Sequence, residues 1–255
     1  MKSKLDIAKL ASQFHQNSVI FVESLFDKKL CEQARNWFLE HEHEVIEKFS
    51  HDKRGLSCDV VNGSRLVKYF EYPLYSAPHI YGKFVNSEVM ALAENLLQDT
   101  VCLVSCEIHS RSAGGTEIPP HQDNAYYGLE KGSALTFYIA LDLQSPEDGG
   151  LQYLPNPSTN NFEHCPSSSK AFSLKILERL DHLKGENLSF TYKPGDCSVH
   201  HSRSIHFADP VPLSAQRASV FRMTFYSLSD NQKDGHKEWY QAMINSNRSA
   251  DQATA

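Results

Sequence analysis

The pattern of apolar and polar positions changes near residue 100 of this 255-residue chain. Before that point, two segments carry apolar residues at helical spacing. In the first, the apolar residues follow a potential capping aspartate, Asp27, and they are Leu30, Ala34, Trp37, Phe38 and Val45. In the second, which begins at Ser87, they are Val89, Leu92, Ala93 and Leu96. Each pattern predicts an amphipathic helix whose apolar side packs against a larger structure.

After residue 100 the pattern is typical of short β-strands separated by turns. VCLVSCEIH at 101–109 opens this part, and ALTFYIALDL at 134–143 is the strongest predicted strand. Further strands are predicted in LSFTY, CSVHH, SIHF and RASVFRMTFYSL. The polar segment 156–188 interrupts the strands, and its part AFSLKILERLDHL at 171–183 predicts a helix. From about residue 247, Ser, Asn, Ala and Gln predict a loose end.

Many short strands preceded by helices favour a jelly roll or barrel with helices packed on its outside. We therefore predict a mainly β fold, a cupin-like double-stranded β-helix (jelly roll) with flanking N-terminal α-helices. The length fits a single domain over residues 1–255. In this domain, 1–100 would support the core, 101–228 would form the jelly roll and 229–255 would be a C-terminal tail.

The composition narrows the range of partners. The formal net charge is -6 and the basic residues are scattered, which disfavours a nucleic-acid partner. No apolar run approaches the roughly 20 residues that cross a bilayer, and the N-terminal segment is too polar for a signal peptide. We expect a cytoplasmic protein with no membrane partner. The six cysteines form no CxxC pair, so neither a disulfide framework nor a structural zinc site is indicated.

His121 and Asp123 are the first candidates for chemistry. One residue separates them, so if Gln122 is extended both side chains project from the same face of a strand. A second histidine would complete the two-histidine, one-carboxylate set of non-haem Fe(II) oxygenases. That set leaves three coordination positions open for the two oxygens of a 2-oxo acid and for O₂. Among 13 histidines such a pair also occurs by chance, and a surface or turn histidine is the simpler explanation.

The second histidine comes from PGDCSVHHSRSIHFADP, which contains His200, His201 and His206. The distance in sequence from the turn at Gly195 and Asp196 favours His206. On a regular strand His200 would share the face of His206 and His201 would face away, but a turn between them can change this. His206 is the preferred ligand, and the other two histidines remain alternatives.

The predicted strand after residue 216 carries two arginines on opposite faces, Arg217 and Arg222. Only one of them can point towards the metal. An inward arginine would bind the distal carboxylate of 2-oxoglutarate through its planar fork of N–H groups. For either arginine a solvated surface charge is the simpler explanation, and for Arg222 we prefer it.

Three stretches together resemble the phytanoyl-CoA dioxygenase family of Fe(II)- and 2-oxoglutarate-dependent oxygenases. They are PPHQDNAYYG, LTFYIALDLQSPEDGGLQYLPNPS and KPGDCSVHHSRSIHFADPVPLSAQRASVFRMTFYS, within about residues 101–228. The resemblance implies that His121, Asp123 and His206 bind Fe(II), with 2-oxoglutarate and O₂ as cosubstrates. It implies that Arg217 binds 2-oxoglutarate. It also implies contacts to this cosubstrate from Gln122, Tyr138 and Lys68.

The chain departs from the family pattern at two places. Phe207 and Ala208 follow the distal histidine where the family commonly has Gly and Ser, so a hydroxyl contact to 2-oxoglutarate is lost there. PNPS at 155–158 replaces the usual PGSH, which affects the local loop. Asp123 fills the position at which related halogenases have a small residue, so hydroxylation is favoured over halogenation.

The sequence therefore predicts a dioxygenase that hydroxylates a small-molecule metabolite and releases succinate and carbon dioxide. One alternative is a Zn(II)-dependent hydrolase, which would have no evident need for Arg217 and would need a general base that HQD does not supply. A second alternative is a non-catalytic jelly-roll binding protein, which would hold no iron and bind no 2-oxoglutarate. No basic cluster commits the site to coenzyme A, and neither the prime substrate nor the oligomeric state follows from the sequence.

Overall fold

The computed structural model describes residues 5–154, 156, 159–167, 174–180 and 187–243. Most helices of this part precede residue 100. They are α1 (Ile7–Asn17), α2 (Lys28–Glu40), α3 (Glu42–Lys48), α4 (His51–Ser57), α5 (Pro73–Ser76), α6 (Pro78–Tyr81), α7 (Ser87–Leu97) and α8 (Asn124–Tyr127). Short 3-10 turns lie at Gly82–Phe84 and Pro146–Asp148, and residues 236–243 are helical.

The strands of the described part lie mostly after residue 100. They are β1 (Val19–Val22), β2 (Cys58–Val61), β3 (Ser64–Val67), β4 (Tyr69–Glu71), β5 (Val101–Arg111), β6 (Ile118–His121), β7 (Ala134–Ala140), β8 (Gln152–Leu154), β9 (His164–Pro166), β10 (Leu174–Ile176), β11 (Leu188–Ser189), β12 (Cys197–His201), β13 (Ile205–Ala208) and β14 (Ala218–Ser227).

Two antiparallel sheets form the centre of the molecule. The six-stranded sheet has the order β1-β12-β7-β14-β5-β4, and the four-stranded sheet has the order β11-β8-β13-β6. Side chains from both sheets meet in one apolar cluster, to which Tyr138, Ala140 and Val220 come from the larger sheet and Tyr153 from the smaller. Strands that are distant in sequence therefore pair around a shared interior, and the predicted jelly roll is confirmed.

The N-terminal helices cover the outer face of the six-stranded sheet. Phe221 of β14 packs against Tyr81 and Phe84, with ring centroids 5.2 and 4.9 Å apart. Met223 and Phe225 share this face and belong to the same buried cluster. The opposite face of β14, which carries Ala218, Val220 and Arg222, is turned towards the space between the sheets.

Both helices predicted from apolar spacing are present. The carboxylate of Asp27 accepts hydrogen bonds from the backbone N–H groups of Lys29 and Leu30 at 2.8 and 3.3 Å, which caps α2. This helix ends at Glu40, so Val45 of the predicted stripe lies on α3. The second predicted helix is α7, and its buried residues are Val89, Leu92, Ala93 and Leu96.

The helix predicted at 171–183 is wrong where the structure describes it. Leu174–Ile176 forms β10, which pairs with β9. Leu174 and Ile176 are buried while Lys175 is exposed, so burial alternates with the period of a strand. Ile176 packs with Leu154 and Ile205 of the smaller sheet, and these contacts outweigh the local helical pattern. Residues 171–173 and 181–183, like the end predicted to be loose from about 247, lie outside the described residues.

Two other sequence expectations can be compared with the structure. All six cysteines are free thiols, four of them buried. None of the described helices is both long and apolar enough to cross a lipid bilayer.

Candidate active site

Three predicted metal ligands meet at one end of the smaller sheet. His121 ends β6, Asp123 follows it closely, and β13 places His206 directly opposite His121. The Oδ1 atom of Asp123 lies 3.6 Å from Nε2 of His206 and 4.0 Å from Nε2 of His121. The potential ligand atoms of these three buried side chains all lie within 4.8 Å of one another. Within the described part of the chain, this is the group of side chains that can hold a metal ion.

Backbone carbonyls orient both imidazoles. Nδ1 of His121 lies 2.9 Å from the carbonyl oxygen of Pro119, and Nδ1 of His206 lies 3.1 Å from that of Ser204. A carbonyl only accepts, so each Nδ1 carries a proton and each ring presents Nε2 towards Asp123 as its potential metal-binding atom. Burial lowers the pKa of His121 well below its usual value, which keeps this ring neutral, as a metal ligand must be.

The two carboxylate oxygens of Asp123 have different surroundings. Oδ2 accepts hydrogen bonds from Thr136, Arg222 and His200 at 3.0, 3.1 and 3.2 Å, whereas Oδ1 faces the two imidazoles. Burial alone would raise the pKa of Asp123, but the guanidinium of Arg222, followed by His206 and His200, holds it well below its usual range. Asp123 is therefore a charged carboxylate with one oxygen left for a metal.

The alternatives to His206 have other roles. His200 reaches Oδ2 of Asp123 through Nε2, and its Nδ1 lies 3.1 Å from the hydroxyl of Tyr153. His201 faces away, since its ring packs near Phe14 at a centroid distance of 6.2 Å. The parity argument thus described His201 correctly, and it did not foresee that His200 supports the carboxylate.

A cavity of about 1160 Å³ opens beside Asp123. Polar and charged side chains from neighbouring strands of the larger sheet line it, among them Glu107, His109 and Arg111 of β5 and Arg222 of β14. The two strands pair in register, with Arg222 opposite Glu107, Val220 opposite His109 and Ala218 opposite Arg111. The cavity wall is therefore polar near the candidate metal ligands.

The prediction that Arg217 points inward and Arg222 outward is wrong. The guanidinium of Arg217 forms two hydrogen bonds with the carboxylate of Glu42, at 2.6 and 2.9 Å, and lies over the ring of Phe38. It belongs to the helix-covered face of the sheet and does not line the cavity. The strand allows one inward arginine, as expected. The inward residue is Arg222, because the face shared by Phe221 and Met223 packs against the helices.

Gln122 is not brought into the cavity either. Its side-chain amide donates to the carbonyl oxygens of Asn160 and Arg203 at 2.7 and 2.6 Å, and it accepts from the N–H of Phe162 at 2.8 Å. Its backbone N–H donates to Nε2 of His164 at 3.0 Å. Gln122 therefore holds the segment that follows residue 156.

Tyr138 and Lys68 do line the cavity. The hydroxyl of Tyr138 donates to Gln144 at 2.8 Å, and burial raises the pKa of Tyr138 to about 12. The ammonium of Lys68 lies 3.4 Å from Oδ1 of Asp59. Their predicted contacts to 2-oxoglutarate remain predictions.

The polar residues of β5 were not predicted from the sequence. Glu107, His109 and Arg111 alternate with the buried Cys106, Ile108 and Ser110. Charged residues at every second position of a strand whose other face is buried indicate a wet cavity on the charged face. Applied to 106–111, this pattern would have found them.

Glu107 makes a pH-dependent contribution to stability. Burial raises its pKa, but a hydrogen bond from His109 and the charge of Arg222 lower it more, to about 2 from 4.5. A depressed folded-state pKa stabilises the fold above pH 4.5, and this stabilisation is lost as the pH falls towards 2. We expect Glu107→Gln to lower the free energy of unfolding at pH 7 by roughly 1–3 kcal/mol. The difference from wild type should shrink between pH 4.5 and 2.

Urea denaturation over this pH range measures the effect. Glu23→Gln, at an exposed position, is the control and should change the pH profile little. A constant difference between wild type and Glu107→Gln across the range would contradict the assignment.

A jelly roll with two histidines and one carboxylate around a cavity is typical of the non-haem Fe(II) oxygenases. Comparison with known proteins agrees with this class. The model of the family described as phytanoyl-CoA dioxygenase (PhyH) matches residues 14–217. This chain belongs to the phytanoyl-CoA dioxygenase family.

One curated relative is the dioxygenase LolE1 of Epichloe uncinata. It is 26% identical over 152 residues, which is 59% of this chain and 56% of that protein. The chain thus matches little more than half the length of this relative.

Solved structures share the fold at low sequence identity. The epimerase SnoN in complex with Fe³⁺, α-ketoglutarate and nogalamycin RO superposes with a TM-score of 0.68 and 15% identity, over 89% of this chain and 86% of that one. EvdO2 from Micromonospora carbonacea var. aurantiaca, complexed with 2-oxoglutarate, gives a TM-score of 0.67 at 16% identity, over 91% and 94%. AviO1 from Streptomyces viridochromogenes Tue57 gives 0.67 at 14% identity, over 90% and 99%.

Proposed function

We propose that this chain is an Fe(II)- and 2-oxoglutarate-dependent dioxygenase that hydroxylates a small-molecule metabolite and releases succinate and carbon dioxide. The observation that carries the proposal is the buried group of His121, Asp123 and His206 beside the cavity. Membership of the phytanoyl-CoA dioxygenase family supports it. Two structures of the same fold, SnoN and EvdO2, are described as complexes with α-ketoglutarate or 2-oxoglutarate.

The donor set fits iron(II). Two neutral imidazole nitrogens and one carboxylate oxygen suit Fe(II), and three ligands leave room for further oxygen donors. In the proposed enzyme His121, His206 and Oδ1 of Asp123 hold the ion. Hydrogen bonds to Oδ2 from Thr136 and Arg222 fix the carboxylate plane, because outer partners of this kind determine how a ligand is presented.

When bound, iron with 2-oxoglutarate and O₂ supplies the oxidising power that inserts one oxygen atom into a C–H bond of the substrate. The residues of the chain bind and orient the reactants, and they exclude water from them. Tyr138, which is buried, and Tyr127, which is half-buried, line the cavity and present aromatic surface that limits water near the candidate metal ligands.

The cavity has room for a substrate of moderate size. Its volume of about 1160 Å³ exceeds the roughly 300–1,000 Å³ of ordinary ligand pockets, which leaves room for both a cosubstrate and a substrate. Acidic and basic side chains line it together, so no single charge of substrate is demanded. The cytoplasmic location expected from the polar N-terminal segment stays a prediction.

Anaerobic titration tests the proposal. Wild-type protein loaded with Fe(II) should develop the visible charge-transfer band of a chelated 2-oxo acid when 2-oxoglutarate is added. Exposure to O₂ with a panel of polar metabolites should then release succinate in proportion to the hydroxylated product. Absence of the band and of 2-oxoglutarate binding would contradict the proposal and favour a zinc hydrolase or a binding protein.

A further inference from the structure

The cationic side chains of the cavity differ in how their charge is balanced. Within the described residues these cations are Lys53, Lys68, Arg111 and Arg222. Lys53 pairs with Glu71, Lys68 with Asp59, and Arg222 with both Asp123 and Glu107. Among the described residues no carboxylate is recorded within ion-pair distance of Arg111: its hydrogen bonds go to neutral carbonyl oxygens, and Asp209, Asp59 and Glu117 act on its charge only from farther away.

Arg111 is held by three loops. Its Nη2 donates to the carbonyl oxygens of Thr116 and Asp209 at 2.6 and 3.0 Å, and its Nη1 donates to that of Gly149. Gly149 has a φ of 80°, and a Cβ atom there would lie 3.0 Å from Nη1 of Arg111, so glycine permits this close approach. A guanidinium has five N–H donors, so donors remain for a further acceptor.

Arg111 is a half-buried cation with no carboxylate in contact, and an anionic ligand would supply that contact. Burial lowers the pKa of Arg111, whereas Asp123 and other neighbours outweigh burial and raise the pKa of Arg222. Arg217, the arginine expected to bind the anion, already has its charge matched by Glu42 on the other side of the sheet. Charge balance therefore selects Arg111.

The position of Arg111 also suits a dicarboxylate that starts at the metal group. The carbonyl of Asp209, which Arg111 contacts, lies three residues beyond His206, so the two are at most roughly 10 Å apart along the backbone. The four C–C bonds of 2-oxoglutarate extend about 5 Å. A metal–oxygen bond of about 2 Å and a hydrogen bond of about 2.9 Å at its ends bring the span close to 10 Å.

The wall beside Arg111 leaves space for that carboxylate. Arg111 on β5 pairs with Ala218 on β14, next to Arg217 in sequence. The inward side chain on β14 at this level is therefore only a methyl group. Tyr138 of the neighbouring strand also lines this part of the cavity. The guanidinium of Arg111 thus reaches, from the strand adjacent to β14, the part of the cavity in which an arginine of β14 was expected.

We infer that Arg111, and not Arg217, binds the distal carboxylate of 2-oxoglutarate in this protein. The inference rests on the proposed function and assigns the cosubstrate anchor within it. Arg111 is in this view a binding residue that selects 2-oxoglutarate over 2-oxo acids with a single carboxylate.

The test compares Arg111→Gln with the matched variant Arg217→Gln in Fe(II)-loaded protein under argon. Calorimetric titration with 2-oxoglutarate and with 2-oxobutyrate, which lacks the distal carboxylate, gives two dissociation constants for each protein. Arg111→Gln is expected to bind 2-oxoglutarate about 10- to 100-fold more weakly and 2-oxobutyrate as wild type does. Arg217→Gln should keep the wild-type preference between the two acids.

Three results would overturn the inference while the proposed function stands. The first is wild-type affinity for 2-oxoglutarate in Arg111→Gln. The second is an equal loss of affinity for both acids in that variant, which would indicate only a structural role in the loops. The third is loss of the preference for 2-oxoglutarate over 2-oxobutyrate in Arg217→Gln. Wild-type protein that binds neither acid would instead overturn the proposed function. If Arg111→Gln does not fold, Arg111→Lys replaces it, with a smaller drop in the preference expected and an unchanged preference counting against the inference.

Discussion

Replacing His206 by alanine is expected to abolish turnover and to weaken Fe(II) binding by more than the roughly 10- to 100-fold lost with an outer partner of a metal ligand. The substitution removes one of three donor atoms, and among the described neighbours only His121, already a ligand of the group, presents another imidazole to Oδ1 of Asp123. His200 is already turned to Oδ2, at 3.2 Å. Anaerobic calorimetry with Fe(II), followed by the 2-oxoglutarate charge-transfer band, measures both effects.

His201→Ala is the matched control. His201 belongs to the strand that carries His200, but its ring faces Phe14, so metal binding should stay at the wild-type level. Wild-type Fe(II) affinity in His206→Ala would remove this histidine from the site. A larger loss in His200→Ala than in His206→Ala would assign the third ligand to His200.

Arg222→Met is expected to lower the free energy of unfolding by about 3–5 kcal/mol. Arg222 lies 3.1 Å from Oδ2 of Asp123 and 3.6 Å from Oε2 of Glu107, and methionine leaves the buried Asp123 and the half-buried Glu107 without their shared counter-charge. Removing one partner of a buried ion pair costs more than the pair itself contributes, because the remaining charge stays desolvated. Urea denaturation at neutral pH measures the change.

Arg222→Lys keeps the positive charge and should lose clearly less stability than Arg222→Met, although it cannot reproduce the planar contacts. Equal losses in the two variants would mean that packing, rather than charge, accounts for the effect. Unchanged stability in Arg222→Met would show that His200 and His109 compensate the carboxylates by themselves.

Strand parity, used on the sequence alone, explains both the success and the failure on β14. It correctly put Arg217 and Arg222 on opposite faces. It could not say which face is interior, because both faces of this strand are covered, one by helices and one by the cavity. The sizes of the side chains distinguish the two faces. Phe221, Met223 and Phe225 are large and apolar and pack on helices. Ala218 and Val220 on the other face are small and leave space for the cavity.

The clustering of His121, Asp123 and His206 was easier to predict than the residues that surround them. The short spacing of His121 and Asp123 fixes their proximity locally, and the turn before β12 limits the choice of the distant histidine. The support of Oδ2 by His200 and Thr136 depends on the register of β12 against β7, in which His200 pairs with Thr136. Such register is set by the whole sheet and cannot be read from either strand alone.

The segment 171–183 failed for a related reason. Its apolar residues fit a helical period, yet Leu174 and Ile176 are buried by pairing with β9 and packing on the smaller sheet. Short apolar runs are ambiguous between helix and strand until their neighbours are known.

The alternative of a zinc hydrolase was to be distinguished from an oxygenase by Arg217. With Arg217 outside the cavity, membership of the dioxygenase family carries that distinction.

The contacts of Gln122 have a consequence for redesign of this protein. It stands between two of the candidate metal ligands, and its amide grips Asn160 and Phe162. Exchanging the loop around Asn160 and Phe162 to accept a new substrate would change the contacts of Gln122. The backbone of Gln122 in turn sets the separation of His121 and Asp123. Loop grafts that retain these two amide contacts should therefore alter selectivity without disturbing metal affinity, while grafts that break them should change both together.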